Sequence, residues 1–229
     1  MRPHLNGISS MATRGFLTDL SLLYQQQHGV AVQIEATGGV DACKRVLAGE
    51  VFDLVVLASD AIERLIAAGQ VVPGSRVDLV QSSVAVAVRA GAALPDIGTE
   101  TALRCAVLAA GSIGTSTGPS GVQLAQLFER WGIGEQIQAR TVVAAPGVPV
   151  GALVARGSVA LGFQQLSELI HLDGIHIVGP LPAAVQITTT FSAGLCRGST
   201  QPQAVMALLG FLASPQASES KLRHGMVPA

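Results

Sequence analysis

The sequence predicts an α/β fold in two lobes, each a mostly parallel sheet flanked by helices, and three observations predict it. Short runs rich in Val, Ile and Leu alternate with stretches of helical period. Two long extended stretches, Val77–Arg89 and Pro182–Cys196, break that alternation with no helix between their halves. About half of the 229 residues are apolar and few are charged, a composition able to bury a substantial core.

The expected strands are Val30–Ala36, Asp53–Ala58, Ser83–Arg89, Arg140–Ala144, Val159–Phe163 and Ile175–Val178. Between them the helical period marks Phe16–Gln27, Asp41–Ala48, Ala61–Ala68, Gly121–Trp131, Pro149–Ala155 and Gln201–Ala213. Strand, helix, strand in repeated order is the signature of α/β layers. Strands that read as nearly continuous apolar runs fit sheets covered by helices on both faces. The two extended stretches bracket a central block, so the chain is expected to leave one lobe near residue 80 and return near residue 190. Residues 1–80 with 191–229 then form the first lobe and 81–190 the second, with a hinge of two extended crossings and a ligand cleft between.

Composition also excludes. A formal net charge of −1 gives no electrostatic case for nucleic acid or an acidic membrane surface. Cys43, Cys105 and Cys196 are scattered and odd in number, making neither a disulfide framework nor a CxxC metal site. No apolar run approaches the roughly 18–20 residues of a membrane span. His4, His28, His171, His176 and His224 lack metal-ligand spacing, and no phosphate loop or dinucleotide fingerprint appears, so no cofactor or metal is expected. The first motif, Leu5–Met11, begins almost at once, so the protein is expected to be cytoplasmic unless a leader has been removed, in which case it is periplasmic.

Four stretches share one design: a strand end, then small or hydroxylated residues, then a helix start. They are Gly7–Thr13, Ala36–Asp41, Thr115–Gly121 and Ala145–Pro149. The first N–H groups of a helix lack internal partners and point along an axis whose dipole adds partial positive charge. Glycine lets the backbone come close to a ligand, and Ser or Thr adds a hydroxyl donor, so a small anion can be held without a lysine. Ser, Thr and Gly are also ordinary helix caps, which is the competing account of each turn taken singly. The expected contacts are Ser9, Ser10 and Met11, then Gly38, Gly39 and Val40, then Thr117, Ser120 and Gly121, with Val148 from the fourth turn. Arg14, just after the first turn, is a candidate for a bidentate pair with a carboxylate, and Lys44 and Arg45 are weaker candidates.

Thr37-Gly38-Gly39-Val40 followed by Leu47–Val56, with its Gly-x-x-x-Asp strand entry at Gly49–Asp53, resembles the second motif of the molybdate-type periplasmic solute-binding protein family. Val154–Phe163 resembles that family's later helix-to-strand passage, and Phe211–Ala217 with Arg223–Met226 its C-terminal helix pair. With Ser9-Ser10 and Pro119-Ser120-Gly121 in matching order, the resemblance spans nearly the whole chain. It implies the type II periplasmic-binding-protein fold, a small anion held by backbone N–H groups and hydroxyls, a monomer, and an ABC transporter membrane component as partner.

One departure bears on the ligand. Where molybdate binders place a tyrosine, this chain reads Gly162-Phe163-Gln164-Gln165-Leu166-Ser167, with Gln165 at about that position. An amide offers a donor and an acceptor where a phenol offers one hydroxyl, which suits an organic carboxylate at least as well as a metal oxyanion. Gln164 and Gln165 therefore join the expected contacts, against the alternative of a solvated strand end. The run Gly162–Glu168 also resembles a divergent branch typified by aconitate isomerase, which implies proton transfer on a tricarboxylate as the alternative to passive binding. No acid or histidine inside the turns is evident as the base, apart from Asp41, which equally suits a first helical turn. Gly114–Gly118 matches the Gly-x-Ser-x-Gly pattern of serine hydrolases, but no upstream oxyanion loop accompanies it and Pro119 delays the helix.

Overall fold

The computed structural model describes residues 4–145 and 147–229. The chain divides into two compact units, one built from the residues up to Ser82 with Thr190–Ala229, the other from Ser83–Thr189.

In the first unit, β1 (His4–Ser10), β2 (Ala31–Thr37) and β3 (Leu54–Ala58) lie in the order β2-β1-β3. β1 is parallel to both neighbours, with Ser10 opposite Thr37 and Ser9 opposite Val56, so the carboxyl ends of all three strands share one edge. The period-2 alternation of a strand sends successive side chains to opposite faces. Leu5, Leu54, Val56 and Ala58 accordingly meet Phe16, Leu17 and Leu20 of α1 (Arg14–His28) and Leu208 and Leu212 of α9 (Pro202–Ala213). Ile8, Val55 and Leu57 meet Ala42 and Val46 of α2 (Gly39–Leu47) and Ile62 and Leu65 of α3 (Ser59–Ala67) on the other face. The Gly-x-x-x-Asp entry has a mechanical purpose. Gly49 takes the left-handed φ of 85° that lets the chain leave α2. Asp53 then accepts hydrogen bonds from the Asn6 N–H (2.9 Å) and the Ser199 hydroxyl (2.5 Å), fixing the start of β3.

The second unit repeats the design. β5 (Ile113–Thr115) is parallel to β6 (Thr141–Val143) and to β7 (Leu161–Gln165), so three strand ends again share an edge. Val84, Val86 and Val88 of β4 (Val77–Arg89) pack with Phe163, with Leu103 and Val107 of α4 (Glu100–Ala109) and with Leu124 and Phe128 of α5 (Pro119–Arg130). Ala85 and Ala87, on the opposite face of β4, meet Leu169 of α8 (Leu166–Leu169). Short alanines there leave room for the helix.

The sheets are mixed rather than mostly parallel. β4 runs antiparallel to β7 and to β8 (Ile175–Pro180), and β3 runs antiparallel to β9 (Thr188–Leu195). β4 and β9 are the strands in which the chain passes from one unit to the other. The expected extended stretch Pro182–Cys196 is only partly strand, because Ala183–Val185 coils into one 3-10 turn after Pro182 before β9 begins. The expected extended stretch Val77–Arg89 is one continuous strand, β4, which takes in the shorter apolar run Ser83–Arg89.

Candidate functional site

In the first unit the strand ends feed three helix starts. After Ser10 the chain makes a 3-10 turn, Met11–Thr13, and enters α1. The Thr13 hydroxyl donates to the Ser10 carbonyl at 3.0 Å and lies 3.5 Å from the Ser10 hydroxyl. Ser9 and Ser10, as neighbours on a strand, face opposite sides of the sheet. Ser9 is fully buried and directs its hydroxyl to the Glu35 carbonyl (3.4 Å), on the side of α1. Ser10 faces α2, where a Cβ placed on Gly39 would lie 3.5 Å from the Ser10 Cβ. Gly38, Gly39 and Val40 thus open α2 directly beside the Ser10 side chain, and no side chain caps that helix.

Arg14 lines a groove of about 200 Å³ with Ser9, Thr18, Ser21 and Gln33, between α1 and β2. Arg45 is committed elsewhere: it bonds Glu35 (2.5 Å) and Glu50 (2.5 Å), which removes it from the ligand candidates. A third helix start, α3 at Ser59, was not singled out from sequence. Its hydroxyl is used internally, donating to the Thr190 carbonyl (3.0 Å) and lying 2.7 Å from the Ser192 hydroxyl, which in turn donates to Asp78 (2.6 Å). A serine immediately after an apolar strand was the available signal.

In the second unit Thr115 ends β5 and Gly118 precedes α5, which again has no side-chain cap. Thr117 is exposed, whereas Ser120 is buried and its hydroxyl lies 3.4 Å from that of Ser116. The hydroxyl beside Ser116 is that of Ser120, which lends the Gly-x-Ser-x-Gly pattern no support. Gly121 has no room for a side chain, since a Cβ would fall 1.8 Å from the Ser116 carbonyl oxygen. Among the described helices, α4 differs in having its start capped by its own N-cap side chain, Thr99 accepting from the Ala102 N–H (3.1 Å). Helix starts at strand ends present N–H groups without intrahelical partners, a geometry that suits an anion.

The fourth turn leads into α7 (Val150–Ala155), with Val148 exposed and Pro146 outside the described residues. Here a cap is supplied from a distance. Gln164 Oε1 accepts from the Gly151 N–H at 3.1 Å, and Gln164 Nε2 donates to Glu168 at 2.7 Å. Gln164 is therefore not a solvated strand end: it is 2% exposed with both ends of its amide engaged. Gln165, on the opposite face of β7, is also buried, donates to the Thr189 hydroxyl (2.9 Å), and leaves its Oε1 without a partner. An orphaned buried amide oxygen costs free energy unless something else fills the position.

Glu168 is the residue that sequence reasoning missed. It lies in α8 immediately after the β7 strand end and is half-buried. Burial, opposed by the Gln164 hydrogen bond, pushes its carboxyl from 4.5 up to about 7. The sequence carries no signal that separates it from other acids, and its desolvation distinguishes it. Among the described residues no group of three or more His, Cys, Asp or Glu is placed to hold a metal ion, and no helix is long and apolar enough to cross a membrane.

A mixed α/β fold whose parallel strand ends feed helix starts along one edge defines a class of protein that binds small ligands at that edge. Residues 5–227 match the bacterial extracellular solute-binding proteins, and the chain belongs to that family. It is 37% identical over 230 residues to an aconitate isomerase of a Pseudomonas species, covering 98% of this chain and 87% of that one. Solved structures share the fold at lower identity. The periplasmic molybdate-binding protein of Azotobacter vinelandii has a TM-score of 0.81 and 21% identity, over 97% of this chain and 98% of that one. A sulfate-binding protein of Mycobacterium tuberculosis has a TM-score of 0.80 and 18% identity, over 100% and 88%.

Proposed function

We propose that this protein binds a small carboxylate anion and shifts the double bond of an aconitate-type tricarboxylate. The observation that carries this reading is similarity to an aconitate isomerase along almost the whole chain. The geometry supports it in two ways. The open N-termini of α2 and α5, beside Ser10 and Ser120, suit carboxylate oxygens in a chain with no excess of positive charge. The expected contacts Ser9, Ser10, Met11, Arg14, Gly38, Gly39, Val40, Thr117, Ser120, Gly121, Val148 and Gln165 remain proposals, with Ser10, the Gly38–Val40 turn, Ser120 and Gln165 the strongest. Gln164 serves better as a support than as a contact, because its amide is already spent.

Such a reaction needs no cofactor. A base removes a proton from the methylene flanked by a carboxylate and the alkene, and the C–H electron pair forms the new double bond. A proton is then delivered to the former alkene carbon, so the composition is unchanged.

A second reading has its own support in the family and in the oxyanion-binding neighbours. It is passive capture of the anion in the periplasm for a membrane-bound ABC transporter, with the protein acting as a monomer. Incubating the protein with cis- or trans-aconitate in D2O and following the alkene and methylene signals by NMR separates the two. Isomer interconversion with deuterium uptake is expected. Binding without exchange leaves passive capture, and a thermal-shift series with citrate, aconitate, molybdate, tungstate, sulfate and phosphate then identifies the ligand class.

A further inference from the structure

The corner where β7 passes into α8 gathers several buried polar groups, two of them with an unmet atom. Within Gln164–Glu168, Gln165 Oε1 and Ser167 Oγ are buried without hydrogen-bond partners. In the same run, on the Gln164 side, the Glu168 carboxyl accepts a hydrogen bond from Gln164 Nε2 at 2.7 Å. The Gly151 N–H can only donate, so it fixes Gln164 with Oε1 towards α7 and Nε2 towards Glu168. Gln164 can therefore offer Glu168 only a donor. A carboxylate oxygen and the carbonyl oxygen of a protonated carboxyl both accept from it. The hydrogen bond survives in either protonation state and leaves the second oxygen to carry the proton.

We propose that Glu168 takes a proton from, and returns one to, the bound carboxylate ligand, with Gln164 as its positioning residue. The inference rests on the isomerase reading above and supplies the base that the turns lack. Its place is the carboxyl edge of the parallel strands β5, β6 and β7, the edge at which α/β folds bind ligands. Burial sets the carboxyl near neutrality, where an acid–base group is most effective in both directions. The charged and titratable groups on the packed neighbours are Arg89 of β4, His176 of β8, and His171 and Asp173 just beyond α8, and all four are exposed. Burial, opposed by the Gln164 amide, therefore governs the titration.

On this chemistry Glu168 as carboxylate accepts the methylene proton of the tricarboxylate. The electron pair left on carbon is delocalised over the allylic carbons and the adjoining carboxylate. The protonated Glu168 then delivers a proton to the other end of the allylic system, restoring both the enzyme and the atom balance.

The test uses trans-aconitate as probe with the wild-type chain, Glu168→Gln and Glu168→Asp. Gln is isosteric and still accepts from Gln164, so the variant should fold, which a thermal midpoint at pH 5 checks. The expected result is a loss of about 100-fold or more in isomerisation and deuterium exchange in Glu168→Gln. Affinity measured by calorimetry should change less than about fivefold, and Glu168→Asp should retain part of the activity. In Gln164→Leu the kcat pH profile should move to higher pH, because the interaction that lowers the Glu168 pKa is gone. An unmoved profile would overturn the positioning role.

If wild type exchanges deuterium and Glu168→Gln does so equally fast, the inference is overturned while the isomerase reading stands. If wild type binds trans-aconitate without exchange, the isomerase reading falls and the inference that rests on it falls too. Binding at pH 7 in MOPS and in Tris reports protons taken up or released. Where wild type does exchange, a proton linkage that disappears in Glu168→Gln supports a Glu168 carboxyl that meets the bound ligand, and an absent linkage overturns that contact. Neither binding nor exchange overturns both.

Discussion

The two units carry the same device, three parallel strand ends feeding helix starts, yet equip it differently. In the first unit the edge is furnished with hydroxyls, and most are already employed: Ser9 on Glu35, Ser59 and Ser192 on each other and on Asp78. What stays open is the start of α2 beside Ser10. In the second unit the edge holds amides and a carboxyl, with Gln164 tying α7 to Glu168 and Gln165 keeping an orphaned oxygen. Hydroxyls and backbone N–H groups hold an anion but do not titrate near neutrality. A desolvated carboxyl does. The same topology thus gives one edge suited to holding charge and another suited to moving a proton.

The glycines at the two turns expose this contrast most sharply. Gly121→Ala forces a Cβ onto the Ser116 carbonyl and should lower stability by about 3 kcal/mol or more, read from urea unfolding. Gly39→Ala meets only an ordinary contact with Ser10, so its stability should stay within about 1 kcal/mol of wild type. Its effect should appear instead as weaker anion binding in calorimetry, because the methyl group enters the space in front of the α2 N-terminus. Equal stability losses in the two variants would erase the distinction between a glycine needed for packing and one needed for access.

Gln164→Leu comes next. It strips the cap from the Gly151 N–H and the Gln164 hydrogen bond from Glu168, at a cost of about 1–3 kcal/mol. The comparable change in the first unit, Ser10→Ala, should cost less stability, since the Ser10 hydroxyl has only a 3.5 Å contact with Thr13. Chemical denaturation of both variants side by side checks the order.

The smallest expected effect is a pH dependence confined to the second unit. The Glu168 carboxyl is raised in the folded protein, from 4.5 to about 7, so folding favours its protonated form. That contribution is fully present below pH 4.5 and is lost as pH rises through about 7. Thermal midpoints of wild type should therefore fall relative to those of Glu168→Gln between pH 5 and 8. Parallel curves would mean that the carboxyl is not desolvated.

Much of this molecule was legible from period and punctuation. The helical stretch at Phe16–Gln27 and the strand at Asp53–Ala58 are present to within a few residues as α1 and β3. Their apolar spacing leaves no alternative once both sheet faces must be covered. Less legible were β5, only three residues long, and α4, whose Ala-rich sequence has a weak apolar face. The mixed direction of the sheets was misread, because strand pairing depends on which chain segments cross between the units and not on local pattern.

The sequence by itself determined the α/β class, the small-residue turns at the strand ends and the near-neutral charge. Those properties follow from side-chain period and from which residues can start a helix. Only the tertiary structure decided which groups are spent and which are free. Gln164 and Gln165 are identical in sequence terms, yet strand alternation sends one inward to cap α7 and leaves the other with an unmet acceptor. Glu168 is one acid among many until burial raises its pKa, and burial is a property of neighbours distant in the chain.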